Sequence, residues 1–128
     1  MRVLLSIRPE FAQKILDGQK RYEYRRRVFR EPVDTVLIYS TMPEGRIVGE
    51  FKVGAILHCE VEELWVRTQD YAGVSHERFS DYFGDKQEGF ALKIESVQVY
   101  DDPINPRQAL EGFRPPQSFC YLSDGFLG

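Results

Sequence analysis

Cysteine and histidine are scarce: the 128 residues hold two of each, Cys59, Cys120, His58 and His76. Two distant cysteines with no C-x-x-C pair exclude a disulfide framework, and adding two histidines completes no zinc spacing. The cysteines read as buried thiols of a reducing compartment. His58 and Cys59 are adjacent, but neighbours on a strand point to opposite faces, so they do not make a Cys–His nucleophile pair. No apolar run is long enough to cross a bilayer; the opening Met1–Ile7 stretch is too short, and Arg8 ends it. No signal-peptide pattern opens the chain, so the expectation is a cytoplasmic protein with no membrane contact. Missing G-x-G-x-x-G and P-loop patterns argue against nucleotide-triphosphate chemistry, and nothing calls for a metal or another cofactor. Repeats, low-complexity tracts and linkers are missing as well. With 42% hydrophobic and 29% charged residues, the chain reads as one domain, 1–128, with residues 123–128 as a loose tail.

What is present is a marked asymmetry of charge. The net charge is −3. Residues 1–30 nevertheless carry nine Lys/Arg against three acidic residues, a net +6, which leaves −9 for the remainder. A basic patch on an acidic body suits a short anionic ligand held at one site. It does not suit coating of long duplex DNA, which needs many phosphate contacts.

Periodicity then orders the chain. Residues 2–8 read as a strand. Pro9 and Glu10 suit a helix start, Phe11 with Ile15 and Ala12 with Leu16 give it one apolar stripe, and Gly18 is its left-handed stop. Asp34–Ser40 is a near-continuous apolar run, the mark of a central strand, and 42–45 is turn chemistry. Arg46–Cys59 reads as a long strand bent at Gly49 or Gly54. From Glu60 to Phe83 the pattern is helical, with Ser75 as N-cap of a second helix that Gly84 ends. Gly89–Tyr100 alternates again, with Ser96 at a parity change. Asp101-Asp102-Pro103 reads as a turn, Asn105 caps a short helix through Leu110, and Gly112 stops it. Residues 115–122 enter extended. Long bent strands between short helices predict an α+β chain: a small closed β-barrel of about five or six strands flanked by short helices.

The stretch that needs a reason is Gly18-Gln-Lys-Arg-Tyr-Glu-Tyr-Arg-Arg-Arg27. Strand alternation puts Tyr22 and Tyr24 on one face, the core side, and Arg21, Glu23, Arg25 and Arg27 on the other. Lys20 has the wrong parity for the charged face, but it stands where the backbone is still turning. Gly18 folds the chain back, so the strand after the helix runs near the strand before it. Lys20 and Glu23 should then face a concave site beside the Pro9–Asp17 helix, with Ser6 or Arg8 on its rim. Plainer readings stay open: a solvated charged edge that blocks unwanted pairing, or a Glu23–Arg25 ion pair of small worth.

Gly18-x-Lys20-x-x-Glu23-x-Arg25 resembles the G-x-K-x-x-E-x-R signature of the ASCH domain family, whose members have a PUA-like fold. Leu5–Ala12 is similar to that family's lead-in, and Pro115–Phe119 resembles the closing segment of some members. The resemblance implies a nucleotide- or RNA-binding module with regulatory use. Its ligand is RNA, a nucleotide or a modified nucleoside, and the resemblance puts Lys20, Glu23 and Arg25 on it. Arg8 and Arg26 are further candidate contacts, Arg26 being equally open to a surface reading. Ser6, Ser40, Gln117 and Ser118 offer neutral hydrogen bonds where they do not simply serve turns. Lysine and arginine offer charge-assisted donors to phosphate, and a carboxylate accepts from an exocyclic amine or ribose hydroxyl. Tyr39 and Tyr121, at strand ends, are candidate stacking platforms.

The same resemblance carries an alternative, a small metal-independent hydrolase with Lys20 and Glu23 as its catalytic residues. Some relatives are amidohydrolases acting on acylated cytidine, combining the signature lysine with a threonine three residues on and a later glutamate. Here Glu23 stands at the threonine position, and Asp70 or Glu77 is the candidate later carboxylate. Other relatives cleave RNA. In that chemistry Lys20 stabilises the phosphorane charge and Glu23 is the general base. Sequence leaves the ligand, the choice between binder and hydrolase, and the oligomeric state open.

Overall fold

A computed structural model of the chain describes residues 1–123 and 126. Its first apolar run forms β1 (Arg2–Ile7), and Pro9 opens α1 (Pro9–Leu16), whose buried stripe is Ala12 and Ile15. Next come β2 (Tyr22–Arg25), β3 (Thr35–Ser40) and the long β4 (Arg46–Glu60). Two helices follow, α2 (Val61–Thr68) and α3 (His76–Phe83), joined through a 3-10 turn at Gln69–Tyr71. The Ser75 side chain caps α3 by accepting from the Arg78 N–H, and Gly84 ends it at φ +59°. β5 (Glu88–Ile104), the short α4 (Pro106–Ala109) and β6 (Phe119–Leu122) complete the chain.

The strands form one sheet in the order β2-β5-β4-β3-β1-β6. β3 lies inside it, parallel to β1 (Leu5 opposite Ile38) and antiparallel to β4, and all six of its residues are buried. That burial on both faces is why its sequence reads as a continuous apolar run. Val3, Leu5, Ile38, Phe51 and Leu92 form the core under α1. Tyr24, Leu64, Phe79 and Phe83 form a second cluster beneath α2 and α3. Burying side chains of this size stabilises the fold by roughly 1.5–3 kcal/mol each.

Register breaks bend the long strands. β4 and β5 slip between Ile47 and Gly49, between Glu50 and Lys52, and between Val53 and Ala55, the last across Gly54. Opposite the middle break, Ser96 takes φ 50°, a bulge at the parity change.

Two expectations need correction. The sheet does not close into a barrel by hydrogen bonding, because β2 and β6 are its two edges. β6 spends its ladder on β1 alone, from Arg2 opposite Leu122 to Leu5 opposite Phe119. The seam is instead bridged by side chains: Phe29 packs edge-on against Phe119 at 5.0 Å, and the Arg30 and Glu31 N–H groups donate to the Tyr121 hydroxyl. An α+β, PUA-like arrangement with an open seam is the result. Second, Asp101-Asp102-Pro103 is not a turn but the end of β5, with Ile104 opposite Ile47. Pro103 is tolerated beside an irregular stretch of the ladder.

The helix expected through Leu110 stops at Ala109. Of the expected loose tail, residues 124, 125, 127 and 128 lie outside the described residues, and Phe126 is buried with Leu4, Tyr39 and Leu122. No described helix is long and apolar enough to cross a membrane. Both cysteines are half-buried and free. His58 stacks on Phe90 while Cys59 packs toward the cluster under α2, so the adjacent pair diverges as strand geometry requires.

Candidate functional site

The site begins where α1 stops. Gly18 takes φ +82°, and the N–H groups of Gly18, Gln19 and Lys20 bond back to the Ile15 and Lys14 carbonyls. The Arg21 N–H then donates to the Tyr71 carbonyl at 2.9 Å, and the Arg21 carbonyl accepts from the Ile94 N–H. Backbone on both sides is therefore engaged, and Lys20 turns inward despite its parity. It is 2% exposed. Its ammonium donates to the Ala72 carbonyl at 2.8 Å and lies 4.0 Å from Glu23 Oε1 and 4.8 Å from the centre of the Tyr24 ring. Burial pushes its pKa down from 10.5 to about 8, against the opposing pull of Glu23.

Glu23 and Arg25, at 7% and 9% exposure, share the inward-facing side of β2. Arg25 Nη1 donates to Glu23 Oε2 at 3.1 Å, and Arg25 Nη2 donates to the Ser118 hydroxyl across the seam. Residues 116–118 are held in place from β1, because Ser6 Oγ donates to the Pro116 carbonyl at 2.6 Å and the Ser6 N–H donates to the Ser118 carbonyl. The open seam is thus also the site: a cavity of about 980 Å³ between the end of β1, α1, β2, α3 and residues 117–118. Seven basic side chains line it against two acidic ones, Glu23 and Asp81, on a chain of net charge −3. Field lines focus in such a cleft and draw anions into it.

Of the residues singled out from sequence, Ser6, Arg8, Lys20, Glu23, Arg25, Arg26, Gln117 and Ser118 all line this cavity. Ser40 does not; it is fully buried at the end of β3, where β1 and β4 flank it. Tyr39 is fully buried too, packed against Phe113, and offers no stacking surface. The Tyr121 ring is exposed, but its hydroxyl is occupied by the 30–31 backbone. Tyr24 belongs to the core as expected; its hydroxyl pairs with Thr68 at 2.6 Å, and burial pushes its pKa up to about 12. Arg26 is clamped to α3, with Nε donating to the Tyr82 carbonyl at 2.8 Å and its guanidinium over the Tyr82 ring. Asp70 and Glu77 do not line the cavity, so neither supplies a later carboxylate beside Lys20.

The sequence reading missed the α3 wall: Arg78, Asp81 and Tyr82 face the cavity along with Val74. Positions 78, 81 and 82 share one helix face. That spacing was the available signal, but the aromatic stripe beside it pointed to core. Gly73 was also missed. Among the described residues, no group of three His, Cys, Asp or Glu side chains is placed to hold a metal ion.

Comparison with known proteins follows the same residues. A model of the ASCH domain matches residues 5–100. Over 123 residues, 93% of this chain and 82% of the other, the sequence is 33% identical to a protein of Zymomonas mobilis subsp. mobilis named ASCH domain-containing ribonuclease. The crystal structure of ASCH from Zymomonas mobilis superposes with a TM-score of 0.90 at 30% identity, covering 96% of this chain and 88% of that one. A tyrosine-to-phenylalanine variant of the same protein gives 0.89, covering 96% and 91% at the same identity.

Proposed function

The chain belongs to the ASCH domain family, and from that premise we propose that its seam cavity binds a short stretch of single-stranded RNA and cleaves it. The observation that carries this reading is the Lys20–Glu23–Arg25 row. A buried ammonium, a carboxylate and a guanidinium lie side by side on the wall of a cationic cavity. A protein that needed only to hold phosphate could use exposed lysines at no desolvation cost. Burying Lys20 until its pKa falls to about 8 is a cost that catalysis explains.

In this reading Glu23 takes the proton of a ribose 2′-hydroxyl as that oxygen attacks the adjacent phosphorus. The Arg25 guanidinium and Lys20 ammonium face the charge growing on the phosphoryl oxygens. The P–O5′ bond breaks, and Lys20 returns a proton to the departing oxygen. Its lowered pKa makes it a better donor than an ordinary lysine. The products are a 2′,3′-cyclic phosphate and a free 5′-hydroxyl.

A second reading, binding with regulatory use and no turnover, has one observation in its favour: both Glu23 oxygens already face cations. Incubation with end-labelled single-stranded RNA separates the two. Cleavage by the wild type, lost in Lys20→Ala and Glu23→Gln with folding intact, supports the ribonuclease. Binding without turnover, weakened in both variants by about 1.5–3 kcal/mol, supports the binder. Cleavage that survives both substitutions, or unchanged RNA affinity in a protein without turnover, removes the site from either account.

A further inference from the structure

Lys20 also lines a second, smaller cavity of about 390 Å³ on the far side of its stem. Its walls are the end of α1 at Ile15 and Gly18, then Arg21 and Tyr22, Tyr71, and β5 from Lys93 to Val97. The lining combines aromatic and aliphatic surface with three cationic residues, Lys20, Arg21 and Lys93. The one carboxylate, Glu95, faces Lys93 at 3.8 Å. Pockets that hold small ligands have this size and this mixture.

Order is the second observation. The Arg21 guanidinium lies 4.1 Å from the centre of the Tyr71 ring, and its Nε donates to the Gly18 carbonyl at 3.4 Å. The Arg21 N–H donates to the Tyr71 carbonyl, fixing one residue to the other through backbone. Tyr71 is nevertheless 45% exposed and Val97 36%. An arginine held over an exposed tyrosine is preorganised for a planar, anionic guest, since bases stack on aromatic rings and on guanidinium planes alike.

We propose that this cavity is a nucleotide pocket, with a base stacked on the Tyr71–Arg21 pair and its phosphate toward Arg21 and Lys93. The guest is either the nucleotide flanking the one in the seam cavity or a free mononucleotide. In the first case the inference rests on the RNA reading above; in the second it stands without it. Occupancy also reaches the main site, because the 71–73 segment that bonds Arg21 is the segment whose Ala72 carbonyl holds the Lys20 ammonium.

The test uses the full chain and adenosine 5′-monophosphate, followed by NMR signals of Tyr71, Tyr22 and Val97. A parallel titration uses labelled ribo-oligonucleotides of increasing length with the Glu23→Gln variant, whose substitution lies outside this pocket. Arg21→Gln with Tyr71→Ala leaves the Arg21–Tyr71 backbone bond in place. The expected result is that the mononucleotide shifts these signals in the parent and leaves those of Tyr22 and Val97 unshifted in the double variant. If the guest is a flanking nucleotide, the double variant also binds oligonucleotides long enough to fill both cavities about tenfold more weakly, the worth of one base stack. Mononucleotide shifts with no length effect assign the pocket to a free nucleotide. Unshifted Tyr71, Tyr22 and Val97 signals together with equal oligonucleotide affinities overturn the proposal. Absence of RNA cleavage alone would count against the ribonuclease and leave the mononucleotide result standing.

Discussion

Gly73 lies flat against the stem of Lys20. A β-carbon at Gly73 would stand 2.4 Å from Lys20 Cβ and 2.6 Å from its Cγ, and the backbone there has φ +70°. Lys20 is thus wedged between α1 and a glycine far along the chain, which is how a lysine becomes 2% exposed at a cavity wall.

Gly73→Ala should therefore act on the site as well as on the fold. A left-handed alanine and an overpacked neighbour together cost about 2–4 kcal/mol. Urea unfolding should show that loss, and RNA affinity or turnover should drop even where the variant is fully folded. A variant of wild-type stability and activity would show that the 72–73 turn yields freely and does not hold Lys20.

Lys20→Met should make the protein more stable and abolish its activity. The folded pKa of about 8 lies below the unfolded 10.5, so between these values the unfolded chain holds a proton that the folded one has shed. Wild-type stability accordingly rises with pH through that window, and below about pH 8 the full penalty applies, roughly 3 kcal/mol. Removing the charge should recover about 1–3 kcal/mol at neutral pH, less whatever Glu23 loses with its partner, and flatten the rise between pH 8 and 10.5. Denaturant midpoints at pH 7 and near pH 10 measure both. A destabilised Met variant would mean the Lys20–Glu23 attraction outweighs desolvation.

Arg27 and Lys86 line the cavity and, among the described residues, have no acidic partner within 4.0 Å. They are the cations freest to meet phosphate, whereas Arg26 is committed to Tyr82 and Arg25 to Glu23 and Ser118. Arg27→Gln with Lys86→Gln should reduce the slope of log affinity against log salt by about 0.7 per lost contact for single-stranded RNA. An unchanged slope would assign both to the solvated surface.

Local chemistry made much of this legible. Gly18 stops α1, Ser75 caps α3, Ser96 marks the bulge, and Asp34–Ser40 contains the inner strand β3. Each is decided by one residue type and its immediate neighbours. What sequence did not show is non-local. Tyr39 is hidden because Phe113 comes over it from the end of the chain. Asp101–Pro103 extends as strand because β4 offers a partner as far as Ile47. Strand alternation placed Glu23 and Arg25 on one face, but their burial depends on the seam that residues 116–118 line, and Lys20's on Gly73. No local pattern reports such pairings.

The alkaline limb of the activity profile decides how Lys20 and Glu23 divide the chemistry. With Lys20 as proton donor and charge stabiliser, the ammonium is the working form, so turnover of single-stranded RNA should fall as pH rises through about 8. Binding alone should weaken over the same range, because the cavity loses one of its buried charges there. In Lys20→Met the limb should vanish along with activity. If turnover instead climbs through pH 8, neutral Lys20 is the base that takes the 2′-hydroxyl proton. Glu23 is then its positioning partner, held by Arg25 at 3.1 Å. A profile flat across pH 8 in a protein that does cleave RNA would mean that turnover is indifferent to the Lys20 charge, and would remove Lys20 from both proton transfer and charge stabilisation. The sign of one slope, read where the Lys20 contribution to stability is no smaller than at neutrality, therefore separates three roles for one buried side chain.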